Sequence, residues 1–60
     1  MHLTGSEYSM IAAALRVAAE QYGKDSRTAT DAGQARLATQ FIKQRDEAYA
    51  LADRIEEVAL

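Results

Sequence analysis

From residue 34 onward, apolar side chains recur at alternating steps of four and three: Leu37, Phe41, Ala48, Leu51, Ile55 and Val58 share a seam interrupted only by Gln44. That period predicts an amphipathic helix with a coiled-coil-like face. Ala38, Ile42, Tyr49, Ala52 and Ala59 lie one position further round and widen the stripe. The opposite face carries Arg36, Gln40, Lys43, Glu47, Asp53, Arg54 and Glu57, with Lys43 and Glu47 four apart as a surface pair. Gln44 and Arg45 interrupt both stripes at one level. A buried Gln fixes register between subunits, and Arg45 is placed to pair with an acidic residue across an interface.

An earlier stretch repeats the spacing with Tyr8, Ile11, Leu15, Ala18 and Tyr22, flanked by Ala12 and Ala19. A thinner apolar line, Met10, Ala14 and Val17, runs nearly opposite, and a helix in a lone hairpin needs only one dry face. The helix start is well marked. Thr4 is an N-cap, Glu7 the N3 residue of a capping box, and Leu3 and Tyr8 occupy the positions of a hydrophobic staple. Gly23 is placed to end this helix in the left-handed conformation. Asp25, Ser26 or Thr28 can cap the next one, and Thr28, Thr30 and Gly33 make its first turns weak. The expectation is helix over 5–22, a turn at 23–25 and a second, longer helix over 26–58, all in one domain spanning 1–60.

Such helices are roughly 27 Å and 50 Å long, so the second overhangs the first. An antiparallel hairpin of this kind sets Tyr22 near Ala29, Leu15 near Ala35 and Tyr8 near Ile42, and leaves everything from Ala48 onward without an intrachain partner. Exposing Leu51, Ile55, Val58 and Leu60 forfeits about 1.5–3 kcal/mol each, comparable with the whole stability of so small a domain. The predicted fold is therefore all-α, an antiparallel two-helix hairpin assembling as a homo-oligomeric bundle. Phe41, Ala48, Leu51, Ile55 and Val58 form its oligomer interface, and Met10, Ala14 and Val17 a second apolar surface.

Composition strengthens the case for self-association. A chain of 60 residues buries little surface and needs a staple, yet it has no cysteine, and its single histidine, His2, assembles no metal site. Thirteen alanines supply much of the 48% hydrophobic content, so close helix-to-helix approach must provide the packing. A net charge of −2 and a pI near 5.2 weigh against DNA or RNA binding, which asks for a basic face. The longest apolar run, 10–19, is too short for a membrane span and contains Arg16. A cytoplasmic location is expected.

Candidate chemistry is sparse. The serines have no base beside them, and Asp46/Glu47 and Glu56/Glu57 are adjacent pairs that point about 100° apart on a wet face. No enzyme is expected, and no cofactor. Lys24, Arg27 and Thr28, with Ser26 between, gather cations and hydroxyls where a helix would begin, the chemistry that a phosphate wants. With Arg36 they form a candidate phosphate set at a subunit boundary, and Tyr22 or Tyr8, or Tyr49 at the seam margin, is available to stack on a base or to anchor a protein partner. Capping and core packing explain the same residues without a ligand.

Leu-Thr-x-x-Glu at 3–7, Ala14-Leu15-Arg16, Arg36-Leu37-Ala38-x-Gln40-Phe41, Glu47-Ala48 and Leu51-Ala52-x-Arg54-Ile55-Glu56 together resemble small phage and prophage helical-hairpin proteins. The resemblance implies a viral protein in a host cytoplasm, acting stoichiometrically by blocking a host protein or by sequestering a nucleotide immune signal in an oligomer. It carries over no ligand residue. The expected function is thus a non-catalytic, self-associating hairpin that inhibits a host defence protein. The alternative is an oligomeric sponge for a cyclic or dinucleotide signal, ahead of an RNA-binding hairpin dimer.

Overall fold

The computed structural model describes residues 3–59, with side chains through Val58; His2 and Leu60 lie outside the described residues. Helix α1 spans Gly5–Asp31 and helix α2 spans Ala35–Ala59. They pack against each other as an antiparallel hairpin measuring 44 × 17 × 13 Å. Helix α1 begins where its signals place it. Thr4 Oγ1 accepts from the Glu7 amide at 3.1 Å, and the Thr4 amide donates to Glu7 Oε1 at 2.9 Å, which closes the capping box.

The turn is not at 23–25. Helix α1 runs through Gly23 to Asp31 and is closed by Gly33, ten residues beyond Gly23, whose φ of 76° is the left-handed value that a Cβ disfavours. The Gly33 amide donates to Thr30 O at 3.0 Å and the Gln34 amide to Ala29 O at 2.8 Å. These two bonds are the Schellman pair, so the last carbonyls of α1 are satisfied at Gly33. Helix α2 is consequently not the longer one: α1 has 27 residues and α2 has 25. Thr28, Thr30 and Thr39 are tolerated inside helices because each hydroxyl donates to the carbonyl four residues back.

Moving the turn changes the register. Tyr22 lies against Phe41, with ring centroids 6.4 Å apart, and Arg16 reaches Asp53 and Glu56, so the carboxy-terminal half of α2 has an intrachain partner after all. The pairs expected at Tyr22/Ala29, Leu15/Ala35 and Tyr8/Ile42 are replaced by pairs roughly a dozen or more residues further along α2.

The contact line is also rotated. The central line of α1 runs Tyr8, Ala12, Leu15, Ala19, Tyr22, Ser26 and Ala29, a regular alternation of four and three, with Arg16, Ala18, Gly23 and Asp25 half-buried at its margins. On α2 it runs Ala38, Phe41, Arg45, Ala48, Ala52 and Ile55, with Gln44 and Glu56 half-buried beside it. The seam therefore uses Ala12 and Ala19 where Ile11 and Ala18 were expected, and Ala38 and Ala52 where Leu37 and Leu51 were expected. Among the described residues every buried position is an alanine or Ser26. Small side chains let the backbones approach, and Ser26 Oγ donates to Ala38 O at 3.1 Å across the seam. No buried side-chain polar atom among the described residues lacks a partner.

Candidate functional site

An alanine seam leaves two flanks, one on each side of the line where the helices meet. Arg16 marks the first. It donates to Asp53 Oδ1 at 3.0 Å and to Glu56 Oε1, tying the two helices together near the open end. The hydrogen bond from Arg16 holds the Glu56 carboxyl below its ordinary pKa, and the bonds to Glu56 and then Asp53 push the guanidinium further toward its charged form.

Further along this flank is a cleft of about 440 Å³, lined by Ala19, Glu20, Gly23, Lys24, Arg27, Arg45 and Tyr49. Three of the chain's seven basic residues border it, against one carboxylate. Arg45 is held by the adjacent Asp46, whose Oδ1 accepts from Nε at 3.1 Å and from Nη2 at 3.0 Å. Lys24 and Arg27 form no ion pair among the described residues. Gly23 floors the cleft, and a Cβ built there would meet Arg45 Cδ at 3.6 Å, an ordinary contact.

Lys24 and Arg27 are thus brought together as expected, but in mid-helix. Their local amides are engaged in the helix, so the unpaired amides of a helix start contribute nothing to an anion there. Arg36 is exposed near the start of α2 and does not line this cleft, and neither do Tyr22, which stacks on Phe41, or Tyr8, half-buried near the amino end. Arg45 and Tyr49 take their place. They lie four apart on α2, as Gly23 and Arg27 do on α1, so each helix carried half of the signal. Joining the halves required the register. Arg45 was expected to reach across an interface and pairs instead with its neighbour, and the expected Lys43–Glu47 pair is not among the ion pairs formed.

The second flank is apolar. The residues one position before the seam, Ile11 and Ala18 on α1 and Leu37, Gln44, Leu51 and Val58 on α2, share this side because the helices are antiparallel. Near the turn this flank becomes polar, and a smaller cleft of about 190 Å³ is lined by Asp25, Thr28 and Gln34 as well as Ala29, Ala32, Leu37 and Phe41. Toward the open end, Leu51 is 43% exposed and Val58 69%. Helical spacing carries the apolar surface on round α1 through Ala14 to Met10 and Val17, which are 70% and 67% exposed. Of the residues expected at an oligomer interface, Phe41, Ala48 and Ile55 turn toward α1 within the chain, whereas Leu51 and Val58 face outward.

Among the described residues no three His, Cys, Asp or Glu side chains gather as metal ligands, and no helix is long and apolar enough to cross a membrane. Comparison with family models, with curated proteins and with solved structures gives no match.

Proposed function

We propose that this chain is a non-catalytic binding protein that self-associates through its apolar flank and acts by stoichiometric binding. One observation carries the reading: Ile11, Leu51 and Val58 stay exposed beside a seam whose buried positions are all alanine or Ser26. The accessible surface is 4624 Å². A compact monomer of this mass exposes about 3,900 Å². The excess, roughly 700 Å² by that scaling, reflects the elongated 44 × 17 × 13 Å shape together with the exposed apolar flank. A second copy is the occupant that fits, since two alanine-cored hairpins meeting through Ile11, Leu51 and Val58 complete a four-helix bundle.

Met10, Ala14 and Val17 lie further round α1 and stay available when that flank is covered, so they are the surface assigned to a protein partner. The resemblance to small phage proteins supports a host defence protein as that partner. Native mass spectrometry of the full chain tests the first step. The expected mass is twice 6.6 kDa or a higher multiple, falling to a monomer in Leu51→Glu; a wild-type monomer would overturn it. A Val17→Glu chain that keeps both its oligomer and its inhibitory activity would remove the assigned partner surface.

A further inference from the structure

The cleft on the ionic flank is unused by self-association, and its lining has a definite chemistry. Lys24, Arg27 and Arg45 converge on it from two helices in a chain whose net charge is −2. With Glu20 in the lining and Asp46 on Arg45, Lys24 and Arg27 remain the cations there without an ion pair among the described residues, and an anion complements them. Arg27 offers a planar fork suited to phosphoryl oxygens and Lys24 a mobile point charge, while Arg45, whose Nε and Nη2 donate to Asp46, keeps Nη1 for a ligand. Tyr49, 39% exposed, lines the cleft one turn beyond Arg45 on α2, and Glu20 contributes the single carboxylate. An exposed aromatic face takes a planar ring, and a carboxylate accepts from an exocyclic amine or a sugar hydroxyl.

Gly23 adds a second observation. An interior helical glycine costs about 1 kcal/mol relative to alanine, and packing does not require it, because a Cβ would fit at 3.6 Å from Arg45 Cδ. Gly23 lines the cleft, and its missing side chain leaves room beside Arg45. The cleft volume of about 440 Å³ falls within the range of small-molecule sites.

We infer that this cleft binds a nucleotide, with its phosphates held by Lys24, Arg27 and Arg45 and its base against Tyr49. The site lies within one chain, so it does not depend on the self-association proposed above. The test is isothermal titration calorimetry of the full chain at low ionic strength with ATP, GTP, tripolyphosphate and adenosine. ATP or GTP is expected to bind, tripolyphosphate more weakly, and adenosine not measurably. Lys24→Ala and Arg27→Ala, both exposed and harmless to folding, are each expected to weaken binding about tenfold. Tyr49→Leu is expected to bring ATP down to the affinity of tripolyphosphate.

Absence of heat with both nucleotides would overturn the inference. So would equal losses in Arg36→Ala or Lys43→Ala, cations outside the cleft, because that result means diffuse charge attraction. Tripolyphosphate binding as tightly as ATP would refute the base-stacking assignment. Circular dichroism of each variant reports folding separately. Leu51→Glu should dissolve the oligomer and keep nucleotide binding, while the cleft variants do the reverse, so either proposal can fail alone.

Discussion

Two glycines compete to be the turn, and replacing each by alanine has opposite consequences. At Gly23 the backbone is ordinary helix, so Gly23→Ala removes conformational freedom from the unfolded chain at no steric cost. The gain is about 0.5–1 kcal/mol. At Gly33 the φ of 76° places a Cβ against the following carbonyl, and the Gly33 and Gln34 amides that close α1 depend on that conformation. Gly33→Ala therefore costs about 1–2 kcal/mol. For a domain of this size each kcal/mol moves Tm by roughly 4–8 °C. The assay is thermal unfolding followed by helical circular dichroism at one fixed protein concentration, because association makes Tm depend on it. Gly23→Ala should melt above the wild type and Gly33→Ala below it. A Gly23→Ala chain destabilised as much as Gly33→Ala would mean that α1 ends at Gly23 and that the register described above is wrong.

Ala19 is completely buried in the seam, so Ala19→Leu must drive the helices apart, at a cost of about 1–3 kcal/mol. A urea midpoint unchanged by that substitution would refute the close-approach seam. Acid should weaken the hairpin. Glu56, bonded by Arg16, and Glu7, bonded by the Thr4 amide, both have folded pKa values below the ordinary carboxylate value. Their contribution is complete above that ordinary value and is lost as pH falls through the lowered ones, so Tm should fall on acidification below the ordinary carboxylate range. Glu56→Gln should flatten the pH dependence of Tm, and an unchanged acid response in that variant would remove the Arg16 bridge from the account.

The sequence alone determined a good deal. Thr4 and Glu7 announce the start of α1 because a capping box is local chemistry, complete within four residues. The two helices and their antiparallel pairing follow from apolar spacing, from the absence of proline and from a connection too short for anything else. Half of each seam was also legible: Tyr8, Leu15 and Tyr22 on one helix, Phe41, Ala48 and Ile55 on the other.

What only the tertiary structure decided is rotation and register. The apolar stripe on each helix is wide enough to hold two overlapping seams one residue apart, and spacing gives both the same period. Packing separates them, since an alanine line lets the backbones close until Ser26 reaches Ala38 O, which a line of Ile11 and Leu51 would prevent. Register decides the glycine in the same way. A turn at Gly23 leaves ten residues or more of α2 unpaired, whereas a turn at Gly33 matches 27 residues with 25 and buries Ala48 and Ala52. The cleft depends on both choices: Lys24 and Arg27 meet Arg45 and Tyr49 only across that register, because local sequence fixes a residue's place on its own helix and packing alone fixes what faces it.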